Sequence, residues 1–240
     1  MTMTRVIAHR GSSAEHPENS WSAFEAAIRE GADVIECDAQ MTRDGVLIVR
    51  HDLTINDRLI ADVTVAELEA EQPAVVRLDE LIEWAPGFGI DLLVELKDPD
   101  AAAAVGRAVA ASPWRRHIVV GAFHGPAIAT VKAVHPGIST SLMMGSVVGP
   151  EDLIVLARAH RADEIHPCWE SRAPRPHRLL DRTAVQRLRE AGLKITLWHE
   201  ERESELIALV ALRPDAICTN TPKALRRILE ARAANGSPMP

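Results

Sequence analysis

His9, Arg10, Glu36, Asp38, His51, Glu95 and Lys97 place two imidazoles, three carboxylates and two fixed cations at the ends of short apolar runs. Together they are the inventory needed to hold a divalent cation against a phosphate diester. Glu36, Asp38 and Glu95 supply hard oxygen ligands suited to Mg²⁺ or Ca²⁺, and carboxylates without clustered cysteine or histidine argue against structural zinc. An imidazole titrates near neutral pH, so one of His9 and His51 can accept a proton while the other donates one. Arg10 offers a fork of donors to a non-bridging phosphate oxygen, and Lys97 offers a point charge to the same group. Each residue type also has a plainer use. Carboxylates gather in ion-pair networks, histidines hydrogen-bond in cores and arginines pair on surfaces. Glu95, on a different run from Glu36 and Asp38, tips the acidic set toward a metal.

These groups need a scaffold that brings distant segments together. Eight β-like runs, Val6 to His9, Asp33 to Asp38, Ile90 to Leu96, His117 to Ala122, Ile138 to Met143, Glu164 to His166, Lys194 to Trp198 and Ala216 to Cys218, alternate with helix-like segments. The alternation predicts an α/β TIM (β/α)8 barrel. Such a barrel needs about 250 residues, so residues 1–240 are read as a single domain with short loops. Alternate side chains of a strand share a face, which groups Ile7 with His9, Glu36 with Asp38, and Leu93 with Glu95 and Lys97. All sit at C-terminal strand ends, where barrels of this kind build their sites. Asn19 or Ser20 is expected to cap a helix over Trp21 to Glu30 that ends at Gly31, and Thr64 with Glu67 forms a capping-box pattern. Asp98-Pro99 and Thr221-Pro222 mark further helix starts. Val46 to Val49, after the turn signal Asp44-Gly45, is read as an extension of the second strand region, and residues 231–240 as a frayed tail.

Composition narrows the function classes. The chain is 47% hydrophobic and 25% charged, too apolar for disorder. A net charge of −7 disfavours nucleic acid as a partner, so phosphate-binding cations must be local. Cys37, Cys168 and Cys218 lack paired or metal-ligand spacing, which favours reduced thiols and a cytoplasmic location. No apolar stretch is long enough for stable membrane insertion. The apolar pattern singles out no dimer face, so the oligomeric state stays open.

The order and spacing of these residues resemble the glycerophosphodiester phosphodiesterase family over nearly the whole chain. The family's His-Arg-Gly falls on His9, Arg10 and Gly11, and its Pro-Glu-Asn-Thr or Ser on Pro17 to Ser20. Its Glu-x-Asp falls on Glu36 and Asp38 after Gly31-Ala32-Asp33. Asp44-Gly45 and His51 follow in order, and Glu-Ile-Lys appears as Glu95-Leu96-Lys97. The resemblance implies a barrel with one bound divalent cation that hydrolyses small-molecule glycerophosphodiesters to glycerol 3-phosphate and an alcohol. It further implies His9 and His51 as the catalytic pair, Arg10 and Lys97 as substrate-binding cations, Asn19 as a supporting residue, and Glu36, Asp38 and Glu95 as metal ligands.

Departures from the family pattern fall around the substrate. Trp198-His199-Glu200-Glu201 replaces the usual Trp-Thr-Val-Asn, and a carboxylate in place of a neutral amide is expected to repel an anionic substrate. Trp198, and Phe123 after the fourth strand, are candidate pocket walls. His166 is a weaker candidate for substrate contact, and Cys37 alternates to the helix side as a small apolar residue. Leu53 to Leu59 lacks the family's leucine, arginine and paired-threonine pattern, and the short stretch between His51 and Glu95 leaves no room for a large cap. Two alternatives remain: a phospholipase D-like lyase, and a non-catalytic barrel that binds phosphodiesters.

Overall fold

The strands form where aliphatic runs can be buried on both faces, a pattern that suits parallel sheet. A computed structural model describes residues 3–234. Its strands are β1 (Arg5–Ala8), β2 (Val34–Met41), β3 (Leu47–Val49), β4 (Thr54–Ile55), β5 (Arg58–Leu59), β6 (Val76–Arg77), β7 (Asp91–Leu96), β8 (Ile118–Ala122), β9 (Ser139–Met144), β10 (Glu164–Pro167), β11 (Lys194–Leu197) and β12 (Ala216–Thr219). Its helices are α1 (Trp21–Arg29), α2 (Val65–Glu71), α3 (Leu78–Trp84), α4 (Ala102–Ala111), α5 (Gly125–Val134), α6 (Pro150–His160), α7 (Arg182–Glu190), α8 (Glu203–Leu212) and α9 (Pro222–Ala234).

Strands β1, β2 and β7 to β12 pair in parallel, and β1 bonds to both β2 and β12, which closes the barrel. Each of the eight runs read from the sequence coincides with one of these strands to within a residue or a few. Inward side chains, including Ile7, Val34, Leu93, Met143 and Cys218, pack on the barrel axis. Their neighbours Ile35, Cys37, Leu92 and Val94 face outward and pack with Phe24 of α1 and Leu81 of α3.

Helix α1 starts at Ser20, whose Oγ accepts the Ala23 N–H, and Thr64 with Glu67 forms the expected capping box on α2. Asn19 does not cap. It adopts φ +54 and turns its amide to the site. Two expectations need correction. Val46 to Val49 does not prolong the second strand; the turn at Asp44-Gly45 reverses the chain, and β3 pairs antiparallel with the far end of β2. Helix α9 runs on through Ala231–Ala234, while the rest of the 231–240 tail lies outside the described residues. Between β3 and β7 the chain forms the β4–β5 hairpin and α2, which share a small core of Ile48, Ile60, Val63 and Leu68 rather than a cap.

Candidate active site

Register brings the acidic groups together. Asp38 on β2 lies opposite Glu95 on β7, and Glu36 stands two residues earlier on the same face as Asp38. Glu36, Asp38 and Glu95 are buried, and one carboxylate oxygen from each lies within 4.8 Å of the others. Such crowding of like charge away from water disfavours ionisation. Burial, then Asp38 and Glu95, pushes the Glu36 carboxyl well above the carboxylate range. Burial and Asp38 push Glu95 up to about 7, against the opposing pull of Lys97.

Fixed cations answer part of that charge. Lys97 Nζ lies 2.5 Å from Glu95 Oε1 and 3.2 Å from Asp38 Oδ1. The Arg10 guanidinium meets Asp38 at 3.1 Å and Glu18 at 2.7 Å, and the Arg10 backbone N–H donates to Glu36 Oε2 at 2.9 Å. Burial lowers the pKa of both cations, but the surrounding carboxylates outweigh it and hold both charged. The Asn19 amide donates to Asp38 Oδ2 at 2.8 Å, which fixes that carboxylate's orientation. Glu36 Oε1 and Glu95 Oε2 nevertheless have no hydrogen-bond partner. Buried carboxylate oxygens without partners are costly, and three carboxylates gathered about one point suit a hard divalent cation.

The turn after β1 carries Arg10 and Gly11 at φ +57 and +83. A side chain on Gly11 would meet the Ala23 backbone at 2.6 Å, so glycine permits the close approach to α1 that aims Arg10 at Asp38.

His9 is buried at the barrel mouth, with Nδ1 2.7 Å from Asn220 Oδ1 and Nε2 4.0 Å from Glu36 Oε2. Burial, followed by Arg10 and His199, lowers its pKa well below the usual value. His51 lies just beyond β3, on a segment whose carbonyls accept from the Gln40 amide and whose Arg50 N–H donates to the Asp38 carbonyl. Its partly exposed ring pairs with Asp52 at 3.0 Å. The fold therefore gathers Arg10, Asn19, Glu36, Asp38, Glu95 and Lys97 into one bonded cluster, with His9 Nε2 4.0 Å from Glu36, and sets His51 on the adjoining loop.

Aromatic rings pack around His9. Trp198 packs edge-on to His9 at 5.3 Å and against Phe123 at 5.7 Å, and Phe123 is 47% exposed. His166 lies fully buried beneath Trp198, and burial pushes its pKa down to about 3, which makes it a neutral interior residue. Glu200 is buried and ion-paired to Arg202 at 2.6 Å, and Glu201 accepts from the Thr219 and Thr221 hydroxyls and the Asn220 N–H. Reasoning from sequence missed Asn220, the Arg10 partner Glu18, and His199, whose ring stacks on His9 at 4.7 Å. Asn220 directly follows the eighth barrel strand, where the site is built, but its partner was not visible from position.

The chain is thus a closed parallel barrel whose mouth carries a buried cluster of three carboxylates flanked by Arg10 and Lys97. Residues 9–224 match the model of the glycerophosphoryl diester phosphodiesterase family. The chain belongs to that family of phosphoric diester hydrolases. A glycerophosphodiester phosphodiesterase of Caldanaerobacter subterraneus is 27% identical over 92% of this chain and 96% of its own length. Among solved structures, a glycerophosphodiester phosphodiesterase from Agrobacterium tumefaciens aligns with TM-score 0.78 at 23% identity, covering 94% of this chain and all of its own. A phosphodiesterase from Oleispira antarctica, solved with the product sn-glycerol-3-phosphate, aligns with TM-score 0.79 at 22% identity, covering 95% of this chain and 97% of its own. Among the described residues no helix is long and apolar enough to cross a membrane.

Proposed function

We propose that this chain hydrolyses small-molecule glycerophosphodiesters to glycerol 3-phosphate and an alcohol, using one divalent cation, Mg²⁺ or Ca²⁺, held by Glu36, Asp38 and Glu95. The observation that carries the reading is the buried carboxylate triad with unpartnered oxygens, flanked by Arg10, Lys97 and the free Nε2 of His9. The product-bound Oleispira relative supports the substrate class.

When bound, the cation polarises the phosphoryl group and offsets the negative charge that builds up on it. Arg10 and Lys97, already at the carboxylates, orient the diester through its non-bridging oxygens. His9 and His51 divide the proton work: one takes the proton of the attacking hydroxyl as the new P–O bond forms, and the other gives a proton to the alcohol oxygen as its P–O bond breaks. The attacking oxygen belongs to water, or to a neighbouring glycerol hydroxyl by way of a cyclic phosphate that water then opens. Trp198 and Phe123 wall the side of the pocket that receives the organic part of the substrate. The three cysteines are buried and free, which supports a reducing, cytoplasmic setting.

The experiment is turnover of glycerophosphocholine, glycerophosphoethanolamine, glycerophosphoglycerol and glycerophosphoinositol with Mg²⁺ or Ca²⁺. Release of glycerol 3-phosphate from at least one is expected. Binding without turnover across the whole panel would refute the reading.

A further inference from the structure

We propose that Asn220, strapped in place by Glu201, is a positioning residue that holds His9 in its Nδ1–H tautomer and so leaves Nε2 as the atom that exchanges protons. The inference rests on the reading of His9 as a proton carrier. An amide oxygen only accepts hydrogen bonds, so the 2.7 Å contact from His9 Nδ1 to Asn220 Oδ1 requires the proton to be on Nδ1. A neutral imidazole carries one N–H. Its second nitrogen then holds a lone pair, and Nε2 is the ring atom that lacks a hydrogen-bond partner and faces Glu36 at 4.0 Å.

Asn220 is not free to turn away. Glu201 Oε1 accepts the Asn220 backbone N–H at 2.7 Å, and Oε2 accepts the hydroxyls of Thr219 at 3.0 Å and Thr221 at 2.8 Å. One carboxylate thus binds three consecutive residues of the turn from β12 into α9. Ser13 Oγ shares its proton between Asn220 Oδ1 at 2.9 Å and the His9 carbonyl at 2.7 Å, which ties the amide to the same turn that carries His9. His199 stacked at 4.7 Å and Trp198 packed edge-to-face at 5.3 Å confine the ring plane, so the contact with Asn220 holds the proton on Nδ1 against the pull of Glu36 on Nε2. The Glu201 carboxylate thus acts on His9 from behind, through the turn that carries Asn220.

The test reads the tautomer directly, from ¹⁵N spectra of histidine-labelled, Mg²⁺-loaded protein at neutral pH, with His9 assigned by its loss in His9→Gln. Wild type and Asn220→Asp, which keeps an acceptor, are expected to show Nδ1–H. Asn220→Ala and Glu201→Ala are expected to shift His9 toward Nε2–H. In turnover, the two alanine variants should lose kcat by about ten- to a hundredfold with KM little changed, and Asn220→Asp should recover most of it. An unchanged tautomer in a folded Asn220→Ala protein, or in Glu201→Ala should Asn220→Ala not fold, would overturn the proposal. Equal kcat losses for Asn220→Asp and Asn220→Ala would overturn it too. The spectra need no turnover, so failure of the diesterase reading would show separately, as wild-type protein with the expected tautomer and no activity.

Discussion

His9 and His51 differ in surroundings although their sequence contexts look alike. His9 is buried, stacked and held by an amide, whereas His51 sits partly exposed beside Asp52. Both are assigned proton transfer, and a positioned acid or base contributes about a hundred- to ten-thousand-fold in rate. His9→Ala and His51→Ala should each lower kcat by that order while the far-ultraviolet circular dichroism stays that of a folded barrel; wild-type-like kcat in either variant would remove it from the mechanism. At this scale the sequence was informative wherever chemistry restricts residue type. A hard-cation site needs carboxylates and phosphate needs cations, so Arg10, Glu36, Asp38, Glu95 and Lys97 were legible. Asn220 and Glu201 were not, because their roles come from partners about 20 to 200 positions away that only the closed barrel supplies.

The element that aims Arg10 is the turn from β1 into α1. It passes through consecutive left-handed residues, Arg10 and Gly11, and leaves no space for a Cβ at the second. Gly11→Ala combines an unfavourable φ with a backbone clash. It is expected to destabilise the protein by about 2–4 kcal/mol and to weaken substrate binding through a displaced Arg10, as measured by urea denaturation and KM. Unchanged stability would mean that the turn relaxes freely. The eight barrel strands were legible because a parallel barrel demands repeated apolar runs. The direction of β3 was not. Asp44-Gly45 announced a turn, but whether the next run continues a strand or reverses beside it depends on pairing with β2 and on the separate core beneath Ile48.

Across the whole molecule, the barrel spends stability to keep its mouth acidic. An unfolded glutamate titrates near about 4.3, while folded Glu95 is pushed up to about 7 and Glu36 is raised as well. Between those values the native state binds more protons than the unfolded one, so stability present at low pH is lost as pH rises through the folded pKa. Buried His9 and His166, whose pKa values are lowered, act in the opposite sense over part of this range. The carboxylate contribution is therefore read by difference: from about pH 5 to about pH 8 the thermal midpoint of metal-free protein should fall relative to that of Glu36→Gln with Asp38→Asn, and added Mg²⁺ or Ca²⁺ should raise the wild-type midpoint more at the upper end, where the carboxylates are ionised. A constant difference between the two proteins, or a larger cation effect at the acidic end, would speak against the three carboxylates acting as one cation site. The double variant should also lose the cation effect.

The most direct measurement is the release of glycerol 3-phosphate from glycerophosphocholine, or from the best diester of the panel, by chelator-treated protein of verified metal content, before and after adding back one equivalent of divalent cation. Negligible release that returns with the cation, and fails to return in Glu36→Gln, is the predicted result. Full release by the metal-free protein would contradict the account.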